Sequence, residues 1–150
     1  NLQLPHHDGA IGDSIISLNK IKSDIITFHT YEAEKLEPTI KELRSIGRPL
    51  MCTEYMAREY GTTFEFCLPV FKKYNIACYN WGLVAGRSQT NFNWETILHL
   101  NEERDKGNLI YEGDSLTEPD EWFHDIFRQD GSSFKDEETA FIKKILLNEE

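Results

Sequence analysis

A carboxylate ends the apolar run Arg48-Pro49-Leu50-Met51-Cys52-Thr53-Glu54-Tyr55. Glu is unfavourable in a strand and packs poorly in a core, so Glu54 needs another reason to stand there. Neighbouring runs end in a similar way. Asp24-Ile25-Ile26-Thr27-Phe28-His29-Thr30-Tyr31 closes on a His and a Tyr, and Ile76-Ala77-Cys78-Tyr79-Asn80-Trp81-Gly82 closes on a Trp. In a parallel α/β sheet such strand ends share one mouth, where polar and aromatic side chains serve as site residues. His29, Tyr31, Glu54, Asn80 and Trp81 are therefore the first candidates. Four of them also have a structural reading: a helix cap or ion pair for Glu54, hydrogen-bonded packing for His29, simple packing for Trp81, and strand-end backbone contacts for Asn80.

The elements that must position them follow from periodicity and punctuation. Residues 1–13 are rich in His, Asp and Gly and read as a loop. Ser14 to Lys22 is compatible with a short helix, and a strand is expected over Ile25 to His29. Ala33 to Ile46 carries Leu36, Ile40, Leu43 and Ile46 at helical spacing, with Gly47 as the stop and Pro38 expected in or near the first turn. The second strand is Leu50 to Glu54, followed by a loop from Tyr55 to Gly61. A helix is expected from Thr63 to Tyr74, with Thr62 and Glu65 as a capping box and a kink at Pro69. The third strand is Ile76 to Trp81. A polar loop with aromatics runs from Gly82 to Leu116, with a short helix near Trp94 to Arg104. Pro119 opens an expected helix over Asp120 to Phe127, stopped by Gly131, with Trp122, Phe123, Ile126 and Phe127 as core and His124 structural. A last helix spans Asp136 to Leu147, with Phe141, Ile142, Ile145 and Leu146 facing inward. Its acidic start, Asp136-Glu137-Glu138, suits a helix N-terminus without further function.

Strands that alternate with helices predict βαβ units and a parallel sheet. Only about three strands are visible, whereas a (β/α)8 barrel needs about 250 residues. The expectation is an α/β chain corresponding to the last part of such a barrel.

Composition narrows the function. Hydrophobic residues make up 39% and aromatic residues 12% of the 150, a globular balance. The net charge of -10 opposes binding to nucleic acid, and the Lys and Arg residues form no stripe. No apolar run approaches the roughly 20 residues of a membrane span. Asn1-Leu2-Gln3-Leu4-Pro5 lacks a Met and is not a signal peptide, so a processed terminus or a piece of a longer protein is expected. The 3 cysteines, Cys52, Cys67 and Cys78, lack metal spacing and read as buried free thiols. His6-His7-Asp8 has metal-ligand residue types but lies in the terminal loop and reads as solvated.

The ordered set Phe28-His29-Thr30-Tyr31, Cys52-Thr53-Glu54-Tyr55, Tyr79-Asn80-Trp81-Gly82 and Trp122-Phe123-His124-Asp125-Ile126-Phe127 resembles the C-terminal half of retaining glycoside hydrolases of clan A. It looks most like family 5 and related bacterial sequences of the cellulase and β-1,4-xylanase type, over Ile25 to Phe134. The resemblance implies barrel strands six, seven and eight. It implies Glu54 as nucleophile, His29 and Tyr31 as the His-X-Tyr pair that orients it, and Trp81 as a platform for a pyranose ring. It also implies a β-linked oligo- or polysaccharide as substrate, no cofactor, and a secreted or periplasmic setting. Such chemistry needs an ionised carboxylate held by donors and a second carboxyl group about 5 Å away as acid/base. The loop Arg87-Ser88-Gln89-Thr90-Asn91-Phe92-Asn93-Trp94 carries the amides and aromatics that sugar subsites use, and Arg87, Gln89 and Trp94 join Asn80 and Trp81 as candidate substrate contacts.

The resemblance has one departure. The family's acid/base Glu lies in an Asn-Glu-Pro motif after strand four, and no Asn-Glu-Pro occurs here. The first half of the barrel, with that Glu, is thus expected to be missing from this chain, which alone would be inactive. The competing reading is a non-catalytic carbohydrate-binding remnant or inactive barrel fragment. Other barrel chemistries fit less well. A Schiff-base lyase wants a strand-end Lys, a metal hydrolase wants clustered strand-end His and Asp, and Gly82-Leu83-Val84-Ala85-Gly86 is not a dinucleotide fingerprint.

Overall fold

A computed structural model describes residues 17–108 and 117–147. His6, His7 and Asp8 lie outside the described residues. The described chain is a mixed α/β fold built on an open, three-stranded parallel sheet in the order β1-β2-β3. Strand β1 is Ile26–His29, β2 is Leu50–Glu54 and β3 is Ala77–Cys78. Helix α1 (Ala33–Arg44) joins β1 to β2, and α2 (Phe64–Tyr74) joins β2 to β3. Helices α3 (Trp94–Asp105) and α4 (Asp136–Leu147) follow. Residues 17–22 are also helical, and Arg48 ties their end to β2 by donating to the carbonyls of Lys20, Ile21 and Ser23.

The core follows from the two periodicities. Ile26 and Phe28 of β1, with Leu50 and Cys52 of β2, point to one face and are buried. Leu36, Ile40 and Leu43 of α1 and Phe64, Cys67, Leu68 and Phe71 of α2 cover that face, with Tyr55 and Met56 between them. Phe141, Ile142 and Ile145 bring α4 onto the same core. Leu146 does not join them; it is exposed, because α4 packs through a narrower stripe than its sequence suggested. The cysteines are free, with Cys52 and Cys67 buried and Cys78 half-buried.

Several local expectations are corrected. The N-cap of α2 is Thr63, whose hydroxyl accepts from the Phe66 N–H at 3.3 Å. Thr62, expected in that role, is buried and instead accepts from the Ala57 N–H at 2.9 Å, closing the preceding turn. Pro38 lies inside α1, beyond its first turn, and α1 ends at Arg44 rather than Ile46. The loop after β2 contains a 3-10 turn over Arg58–Tyr60.

β3 is shorter than Ile76 to Trp81. Past Cys78 the pairing continues only through the Tyr79 N–H to the Cys52 carbonyl and the Trp81 N–H to the Tyr55 carbonyl.

The largest correction is the helix expected over Asp120 to Phe127, which does not form. The backbone of this segment bonds to distant chain instead. Phe123 and His124 donate to the carbonyls of Asn91 and Thr90, Ile126 and Phe127 donate to Leu83, and Phe134 donates to Ile126. Trp122, Phe123, His124, Asp125 and Ile126 are buried in succession, which a helix with one inward stripe cannot do.

Candidate active site

A register irregularity builds the site. Ile26, Thr27 and Phe28 pair in order with Leu50, Met51 and Cys52, but His29 then pairs with Glu54. Thr53 is left over, as the extra residue of a bulge. Without this shift His29 would stand opposite Thr53, and Glu54 would face away by the alternation of side chains. With it, the imidazole and the carboxylate meet. His29 Nδ1 lies 3.1 Å from Glu54 Oε2, and Tyr31 Oη donates to the same oxygen at 3.0 Å. Among the described residues no donor reaches Oε1, so the carboxylate is held at one oxygen and open at the other.

Burial sets the protonation states. It lowers the pKa of His29, against the opposing pull of Glu54, so the ring is neutral at pH 7 and donates through Nδ1. Among the described residues neither its buried Nε2 nor the buried Thr53 Oγ1 has a hydrogen-bond partner. Burial, and next the Glu54 charge and hydrogen bond, push the Tyr31 phenol far up, so it remains a donor.

An aromatic wall backs Tyr31. Its ring meets Trp94 at 5.0 Å, edge to face, and His124 at 5.8 Å. Trp94 in turn packs on Phe123 at 5.1 Å and Tyr60 at 5.6 Å. Trp94 opens α3, whose N-cap Asn93 accepts from the Thr96 N–H at 2.9 Å. The capping side chain thus decides where the indole starts, and the indole lands against Tyr31.

The segment containing His124 is fastened from below. His124 Nδ1 hydrogen-bonds the Met56 carbonyl, and Met56 adopts φ 88, a left-handed conformation rare for a bulky residue. Burial lowers the His124 pKa to about 4, so the ring is neutral and Nδ1–H is the donor. Arg58, four positions past Glu54, is buried. It donates to the Trp122 carbonyl at 2.7 Å and the Asp125 carbonyl at 2.9 Å, and it pairs with buried Glu138 at 2.5 Å. Gly82 closes the other side. A Cβ there would meet His124 Cβ at 2.7 Å and Asp125 Oδ1 at 2.9 Å, and its φ of 80 suits glycine. Burial raises the Asp125 pKa, partly offset by the Thr90 hydroxyl that donates to Oδ2 at 2.8 Å.

The candidates therefore divide. His29, Tyr31 and Glu54 come together, and Trp94 reaches them through Tyr31. Trp81 stands after β3 with 44% of its surface exposed, where a flat ligand can reach it. Asn80 turns back to donate to the Gly82 carbonyl, so it satisfies its own turn. Arg87 and Gln89 are exposed, and no described contact joins them to Glu54. Arg58, Tyr60 and Glu138 were not singled out from the sequence. Arg58 and Glu138 are 80 positions apart, and only an alignment of charges across that distance could have paired them. Glu138 belongs to the acidic start of α4, yet it serves Arg58 as well as the helix.

The arrangement holds a carboxylate by neutral donors beside an aromatic wall, which suits nucleophilic or electrostatic work on a neutral ligand with apolar faces. Among the described residues no group of His, Cys, Asp and Glu is placed to hold a metal ion. No described helix is long and apolar enough to cross a membrane. Comparison with protein-family models, curated proteins and solved structures returns no significant match.

Proposed function

We propose that this chain is the nucleophile-bearing part of a retaining β-glycosidase, endo-acting on β-1,4-glycans such as cellulose, xylan or mannan. The observation that carries the reading is the geometry of Glu54, held at Oε2 by Tyr31 and His29 with Oε1 open at a strand end. Glu54 would attack the anomeric carbon through Oε1 and form a glycosyl-enzyme ester. A carboxyl group from a segment outside these residues would protonate the departing oxygen and then deprotonate the water that hydrolyses the ester. The open parallel sheet fits the last strands of a (β/α)8 barrel, whose other strands would supply that group. Trp81 and Trp94 would stack on sugar rings, and the net charge of -10 favours neutral glycans over uronates.

The test is Glu54→Gln in the intact protein, assayed on soluble cellulose, xylan and mannan. Turnover should fall by about a thousandfold or more while glycan binding persists. Unchanged turnover on a hydrolysed glycan would overturn the nucleophile assignment. Binding without turnover in the unmutated protein would leave a carbohydrate-binding module.

A further inference from the structure

An exposed ledge leads away from the Glu54 mouth. Trp94 touches Tyr31 on one side and Tyr60 on the other, and Phe123 packs beneath both, 5.1 Å from Trp94 and 5.4 Å from Tyr60. These contacts hold the two rings in place, yet Trp94 stays 40% and Tyr60 45% exposed. Fixed rings that keep this much surface in water form a ready apolar platform, since little ordering is left to be lost on binding.

The polar rim is fixed as well. Glu59 directly precedes Tyr60, and Asn93 directly precedes Trp94. Asn93 Nδ2 donates to both oxygens of Glu59, at 3.1 and 3.2 Å, while Asn93 Oδ1 caps α3. The exposed Glu59 carboxylate is thereby oriented, and each of its oxygens keeps lone pairs for further donors. An apolar ring face beside an oriented acceptor matches a pyranose, which presents C–H groups on its face and hydroxyls at its edge.

We propose that Tyr60, Trp94, Glu59 and Asn93 form a second sugar subsite, separate from the one at Glu54, that takes a neutral β-linked glycan. The inference rests on the glycan reading of the Glu54 site, and Tyr31 supplies the continuity by bonding Glu54 while packing on Trp94. The ledge then binds a further unit of the same chain. Glu59 would repel a uronate there, so the subsite selects for uncharged sugars.

The test is calorimetric titration of the intact Glu54→Gln protein with cellobiose and cellohexaose, with the xylan and mannan di- and hexasaccharides in parallel. Tyr60→Ala should weaken hexasaccharide binding by about 10-fold and disaccharide binding by less than about 2-fold. Tyr60→Phe, which keeps the ring on Phe123, should stay within about 2-fold for both. Equal losses for both lengths, or none, would overturn the subsite and return Tyr60 to packing. If Tyr60→Ala fails to fold, tryptophan emission of the unmutated ring decides. The hexasaccharide should change it more than the disaccharide does, with the difference lost in Trp94→Phe, and equal responses would overturn the proposal. No hexasaccharide binding at all would remove the glycan reading and the subsite together. Length-dependent binding alongside full activity of Glu54→Gln would remove the nucleophile assignment and leave the subsite standing.

Discussion

The ends of β1 and β2 and the segment from Trp122 to Phe127 meet at the same mouth but are built in opposite ways. At the strand ends, adjacent strands in a parallel ladder deliver His29, Tyr31 and Glu54 within 25 positions of sequence, and the groups satisfy one another. The segment has no regular structure of its own. Its position comes from Arg58, Glu138, Met56, Gly82 and the Leu83 carbonyl, which reach it from remote chain. The carboxylate cluster thus sits on local, repetitive structure, while the wall that shapes its surroundings depends on long-range contacts. The first can be altered with little effect on folding. The second cannot be altered without loosening the support.

The largest effect expected on the strand-end side is chemical. Glu54→Gln removes the charge and keeps the shape, so the melting temperature should stay within a few degrees as turnover disappears; a large fall in melting temperature would mean that Glu54 holds the fold together. The largest effect on the other side is energetic. Arg58→Ala leaves buried Glu138 unpaired and the Trp122 and Asp125 carbonyls without their donor, at a cost of about 3–5 kcal/mol. Replacing the pair together, by Arg58→Met with Glu138→Leu, should recover part of that loss in a denaturant titration. No recovery would show that the carbonyl contacts, and not the ion pair, carry the cost.

The same segment predicts a pH dependence. A histidine in the unfolded chain takes up its proton near 6.5, but folded His124 does so only near 4. Between those values the unfolded state binds more protons, so stability present above pH 6.5 is lost as pH falls towards 4, by about 3 kcal/mol. His124→Gln should flatten the melting temperature across that window, and an unchanged slope would place the titration elsewhere. The smallest effect concerns the mouth itself. Trp81→Ala should weaken glycan binding by about 1–3 kcal/mol with little change in stability, because much of the ring already lies in solvent. An unchanged affinity would mean that Trp81 has no part in binding.

The parts legible in the sequence share one property. Alternation over Ile26 to His29 and Leu50 to Glu54, and helical spacing over Leu36, Ile40 and Leu43, are short-range patterns that state which face is buried. Glu54 stood out because it broke such a pattern. Trp122 to Phe127 misled for the same reason. Its aromatics matched a helical stripe, yet their burial came from tertiary hydrogen bonds that the pattern does not encode. Tyr60 carried no signal, since an isolated surface tyrosine in a loop has no period to break.

Sequence alone therefore determined the α/β alternation, the buried faces of β1, β2, α1 and α2, and the residue types gathered at the strand ends. Tertiary structure decided the rest. The bulge at Thr53 turned Glu54 towards His29, and the Arg58–Glu138 pair placed the aromatic wall. The physical reason is range. Propensity and periodicity act within a few residues, whereas register, buried ion pairs and backbone contacts of irregular segments are settled only when distant parts of the chain compete for the same partners.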